Sequence, residues 1–176
     1  MSDPTRAVYD CMIFLQAASR PDRVHGTFRL VREGAVKLIV SAQIVNEVRD
    51  VLTRPEVRAK FPALTPEHVG AFLNDILSVA LTVDDVPAVF TLPRDPKDEP
   101  YVNLAIRAQA SYLVTWNDRH LTYLMRQDTA EGREFSNRFP NIKIVDPPTF
   151  VREIEQIRHA PTDVPPAPDQ PRPGQC

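Results

Sequence analysis

The sequence predicts an α/β fold, with a central, mostly parallel sheet flanked by helices. Two observations lead there. Short β-branched runs alternate with segments of helical period, which is the pattern of strands joined by helical crossovers. The strand-like runs also end in polar residues, Asp10, Ser41, Asn117 and Asp146, and ligands of parallel sheets bind beyond the carboxyl ends of the strands. A chain of 176 residues, 43% hydrophobic, is long enough to bury a sizeable core in one domain over residues 1–160.

The first strand is "RAVYD" (6–10), an apolar run closed by a carboxylate. At the end of a strand Asp10 can stand at the mouth of a site without being buried. "RVHGTFRLVREG" (23–34) is expected as a helix, with Val24, Phe28 and Val31 at helical spacing and Gly34 as its stop. "AVKLIVS" (35–41) is the second strand, and Ser41 caps a helix reaching about Thr53 with Ile44, Val45, Val48, Val51 and Leu52 on one face. "TPEHVGAFLNDILSVA" (65–80) is a helix with Thr65 as cap, Pro66 as first residue and Glu67 in the first turn. Its apolar residues Phe72, Leu73, Ile76 and Leu77 suit core packing, with a dimer face as the alternative.

The stretch "RDPKDEP" (94–100) is a loop, and Pro100 opens a helix to about Gln109. "SYLVTWN" (111–117) is the third strand, "DRHLTYLMRQ" (118–127) a helix, "NIKIVDPP" (141–148) the fourth strand, and "TFVREIEQIRHA" (149–160) the last helix. The Pro-rich tail 161–176, "PTDVPPAPDQPRPGQC", cannot pack a core and is expected to be disordered.

Bulk properties exclude several classes of function. No run reaches the roughly 18 apolar residues of a membrane span. The N-terminus lacks a basic-then-apolar leader, so a cytoplasmic location is expected. The two cysteines, Cys11 and Cys176, lie at opposite ends and supply neither a disulfide framework nor zinc spacing; Cys11 is expected to be buried. A net charge of −2 gives no polycation signal, although lysine occurs only at Lys37, Lys60, Lys97 and Lys143 and the remaining bases are arginines, suited to bidentate phosphate contacts.

The chemistry lies in the acids. Glu47 interrupts the apolar pattern of its helix, one turn after Ile44 and one before Val51. Asp95, Asp98 and Glu99 cluster where a loop meets a helix, and Asn117 and Asp118 follow a strand. Each has an ordinary alternative as a helix cap or surface charge. Together with Asp10 they form a set of acids with no sequence-local cation, and such carboxylates repel one another unless a divalent ion intervenes. Oxygen ligands without a Cys or His cluster suit Mg²⁺ or Mn²⁺, and carboxylate-held Mg²⁺ usually serves phosphate chemistry.

These segments resemble the PIN-domain family, in the branch of toxin components related to VapC-like ribonucleases. The resemblance runs over residues 6–158 through "VYDCMIFLQAAS", "GAVKLIVSAQIVNEVRDVLTRPEV", "RDPKDEPYVNLAIRAQASYLVTWNDRHL" and "IKIVDPPTFVREI". It implies an acidic quartet holding one or two Mg²⁺ or Mn²⁺ ions for RNA hydrolysis, with a cognate antitoxin as protein partner; the alternative dimer face of the 65–80 helix would make a homodimer. By position the quartet maps to Asp10, Glu47, Asp98 and Asn117. The fourth position departs from the family, which often has Thr-Gly-Asp where this chain has Thr115-Trp116-Asn117, and Asp118 is the neighbouring substitute. Met12 departs too, standing where the family commonly has an Asn. Two alternatives stay open: a degenerate PIN domain that binds RNA or a protein without cutting, and, more distantly, a receiver-like domain, which lacks its acid pair in "YDCM" and a phosphoacceptor in "IVSAQ".

Overall fold

Thr5–Tyr9 (β1), Val36–Val40 (β2), Leu81–Thr82 (β3), Tyr112–Val114 (β4) and Lys143–Val145 (β5) form one sheet, in the order β3-β2-β1-β4-β5. Every pairing is parallel. The structure, a computed structural model, describes residues 3–117 and 119–160. Asp118 and the Pro-rich tail lie outside them. The apolar run of β1 is continuous because helices cover both faces of a parallel sheet, and Ala7, Val8 and Tyr9 are all fully buried.

β1 is the centre of the topology. Ala7 pairs with Leu38 of β2 on one side and with Tyr112 of β4 on the other. The chain passes first to β2 and only later to β4, so a crevice opens beyond the carboxyl ends of β1 and β4, where strand order reverses.

The helices are Cys11–Ser19 (α1), Gly26–Arg32 (α2), Ala42–Thr53 (α3), Pro55–Lys60 (α4), Pro66–Val79 (α5), Glu99–Arg107 (α6), Ala130–Arg138 (α7) and Pro147–His159 (α8). Ser41 and Thr65 cap α3 and α5 as their sequences predict, accepting from the Ile44 and His68 amides. Gly34, at φ +74°, ends α2, with the Ala35 amide returning to the Leu30 carbonyl. Only a residue free to enter the left-handed region does this without strain.

Other expectations need correction. The helix expected over 23–34 begins at Gly26, which sits against the side chain of Val151, and Val24 is left 83% exposed. The helix expected over 118–127 is a short 3-10 turn, Thr122–Met125. The last helix starts at Pro147, because prolines are at home in a first turn and Asp146 caps it by accepting from the Thr149 amide. On α5, Leu73 and Ile76 are core and Phe72 meets Phe28 edge to face, while Leu77 is 38% exposed. Cys11 is half-buried.

Candidate metal centre

The end of β1 delivers Asp10 directly into α1, and the side chain is buried, 5% exposed. The expectation that it could avoid burial at a strand end is therefore wrong. One oxygen accepts from the Ile13 amide at 3.2 Å, capping α1, and the other accepts from the Thr115 hydroxyl. Burial pushes the Asp10 carboxyl up from its ordinary value, and the Thr115 hydroxyl with the Ile13, Met12 and Trp116 amides pulls it back.

Thr115 follows β4 and is fully buried. Its oxygen accepts from the Asn117 amide at 2.8 Å while its proton is committed to Asp10. Asn117 then reaches two ways: its side-chain nitrogen donates to Asp98 at 2.7 Å, and its side-chain oxygen accepts from the His120 backbone amide at 3.2 Å. Asp10, Thr115, Asn117 and Asp98 thus form one hydrogen-bonded chain across the crevice.

The three acids of "RDPKDEP" have different roles. Asp98 begins α6 yet makes no capping bond with its side chain, so its carboxylate is not held by the ordinary structural use. Glu99 turns away and accepts from the Leu92 amide at 2.7 Å, anchoring the preceding loop. Asp95 takes the Lys97 amide with one oxygen and the His120 imidazole Nδ1 with the other, at 2.7 Å. Ligand atoms of Asp95, Asp98 and His120 lie within 4.8 Å of one another.

Glu47, on α3, accepts from the hydroxyl of buried Tyr101 on α6 at 2.9 Å. It shares its surroundings with Asp10. Burial first, then the charges of Glu47 and Asp10, push the Cys11 thiol up to about 12. The Tyr101 hydroxyl is also driven up, by burial and then by Cys11, Glu47 and Asp10.

Asp98 responds most informatively among these acids. Its carboxyl is raised to about 6, first by burial and then by Asp95 and Asp10, against smaller opposing effects from His120 and Asn117. Among the described residues, none of Asp10, Glu47 and Asp98 pairs with a lysine or arginine. The cluster of Asp95, Asp98 and His120 is one that could hold a metal ion.

Residues 6–119 match the family model of the PIN domain. The chain belongs to the PIN-domain family. No curated protein matches it. PIN domains are generally metal-dependent nucleases, and this PIN domain has an acidic cluster where a sheet of its order presents a ligand.

The sequence-expected residues of this PIN domain meet the geometry unevenly. Asp98 and Asn117 touch, Asp10 joins them through Thr115, and Glu47 approaches from α3 through Tyr101. Asp118 lies outside the described residues. The supporting roles of Thr115 and Tyr101 carry no local signal in the sequence, because they depend on partners 105 and 54 positions away. Asp95 and His120 enter the tightest cluster although each reads locally as a loop acid and a scattered histidine.

Proposed function

We propose that this PIN domain is a cytoplasmic endoribonuclease that hydrolyses RNA phosphodiester bonds with Mg²⁺ or Mn²⁺, acting as the toxin of a toxin–antitoxin pair. The observation that carries this reading is the state of Asp98. Its carboxyl is raised by burial and neighbouring acids, and no lysine or arginine among the described residues compensates it. Asp10, Glu47 and Asp98 would hold the ion, with Asn117 or Asp118 at the fourth position and Asp95 and His120 beside it. A bound divalent ion supplies charge at the phosphoryl oxygens and an acidified water.

The chain's own residues supply orientation. Thr115 fixes the Asp10 carboxylate, Tyr101 fixes Glu47, and the Asn117 amide fixes Asp98. Such supporting bonds are worth about 10- to 100-fold in metal affinity. His120, held by Asp95, would meet a phosphate oxygen.

The test is cleavage of a mixed structured RNA pool with Mn²⁺, Mg²⁺ or EDTA, comparing wild type with Asp10→Asn and Asp98→Asn. Metal-dependent cutting lost in both folded variants supports the nuclease. No cutting by folded wild type rejects it. Growth arrest on expression of wild type, absent for Asp98→Asn and relieved by a co-encoded antitoxin, tests the toxin role.

Two observations favour a second reading, a domain that binds RNA or a protein partner without cutting. Asn117 carries no charge at the fourth position and already donates to Asp98, and Met12 is 52% exposed with no polar group to orient a ligand. RNA binding without cleavage in any metal would select it.

A further inference from the structure

Beside the acids lies a region of opposite charge. An open cavity of about 600 Å³ is lined by Arg94, Arg119, His120, Tyr123, Arg126 and Thr129. Its arginines are held in different ways. The Arg94 guanidinium lies over the Tyr123 ring at 4.1 Å from the ring centre. Stacking fixes the plane of a guanidinium while leaving its edge donors free for a planar or tetrahedral anion. Arg119 is exposed and makes no ion pair among the described residues. Arg126 is engaged by Asp128 at 2.8 Å.

Among the described residues, the nearby carboxylates leave room for an anion. Glu131 is held by the Tyr123 hydroxyl at 2.6 Å and lies close enough for Arg94 to help lower its pKa, but the two form no ion pair. His120 is shared, lining this cavity with its side chain tied to Asp95 of the acidic cluster. The cationic cavity and the metal-fitted acids therefore meet at one histidine.

We propose that Arg94 and Arg119 form an anion subsite for a phosphate group, adjoining the acidic centre across His120. The inference rests on the ribonuclease reading for its source of phosphate: a strand whose scissile phosphate lies at the acids places a neighbouring phosphate against these arginines. The chemistry equally accommodates free inorganic phosphate, and two arms of one experiment separate the sources.

In the first arm, inorganic phosphate is titrated into the full chain in EDTA while the arginine Nε–H resonances are followed by NMR. Perturbation of Arg94 and Arg119 is expected, and its absence overturns the subsite. In the second arm, a 12-nucleotide single-stranded RNA is bound to wild type, Arg94→Met, Arg119→Gln and the control Arg152→Gln over a range of salt. Removing each subsite arginine should lower affinity roughly tenfold and reduce the slope of log affinity against log salt by about 0.7, with the control unchanged. RNA slopes that stay at the wild-type value overturn the strand-phosphate proposal, even with the resonances moving. RNA that wild type neither binds nor cuts, with the resonances still moving, removes the ribonuclease reading and leaves a site for free phosphate.

Discussion

Replacing Asp98 by asparagine separates a metal ligand from a structural residue. A carboxyl moved from 3.8 to about 6 costs roughly 3 kcal/mol when ionised at neutral pH, and solvent screening at this half-buried position reduces that to about 1 kcal/mol. The sign follows from the raised value. The wild-type contribution is fully present below about pH 3.8 and is lost as pH rises through about 6. The amide introduced by Asp98→Asn has no charge to bury, and its oxygen can still accept from Asn117. In EDTA, the variant should melt about 2–4 °C above wild type at pH 7.5 and within error of it at pH 4. Mn²⁺ should reverse the order, because an ion at ten times its dissociation constant stabilises the protein that binds it by about 1.4 kcal/mol. Thermal unfolding followed by circular dichroism, with and without Mn²⁺, reads both effects. An Asp98→Asn protein that melts below wild type in EDTA would refute the reasoning, showing that the carboxylate's bond to Asn117 outweighs its repulsion.

Two further substitutions probe the network around it, and a third probes helix α7. Thr115→Val removes the hydroxyl shared by Asp10 and the Asn117 amide and should destabilise the chain by about 1–3 kcal/mol in urea; a neutral result would mean that another donor reaches Asp10. Asn117→Asp sets a second carboxylate against Asp98, so calorimetry should find Mn²⁺ binding about tenfold tighter and the metal-free protein less stable at pH 7.5 than wild type; unchanged affinity would remove position 117 from the ligand set. Gly132→Ala should destabilise the chain by about 1–3 kcal/mol, because the added carbon meets the Arg126 carbonyl at 1.9 Å, although helix propensity alone favours alanine by about 1 kcal/mol. Denaturation midpoints above wild type would show that the α7 turn yields to the new methyl.

Local rules made much of the fold legible, and non-local bonds account for most of what was not. Caps and prolines announced α3, α5 and the start of α6, and apolar runs announced β1 and β2. Strand β3 escaped because two residues carry no pattern, and it exists by pairing Ile39 with Leu81 and Val40 with Thr82. Helix α7, "AEGREFSNR", has Phe135 as its one large apolar residue and contains Gly132, so its sequence resembles a loop. Helix α4 was hidden because Pro55 ends one helix and starts the next, with Arg54 serving both ends. At the site, the acids were visible as residue types but their division of labour was not. Nothing in "RDPKDEP" says that Glu99 holds the Leu92 amide while Asp95 holds His120; that follows from where the 119–121 turn and the 89–94 segment run in space.

Asn117 shows how a change at one position can preserve a site's geometry while altering its charge. An aspartate there would add a further negative charge to a crevice where Asp98 is already raised to about 6 by burial, Asp95 and Asp10. The amide instead donates to Asp98 and accepts from the His120 backbone. It keeps the acid and the turn in register without a metal. The expected consequence is a trade: a more stable metal-free crevice, and a pull on a cation weaker by one charge. Such a site is predicted to need more free Mn²⁺ to fill and to gain less stability when filled than its Asn117→Asp variant. Parallel metal titrations of the two proteins, read by melting temperature, measure that trade directly, and equal shifts at equal Mn²⁺ would mean that the fourth position lies outside the cation's reach.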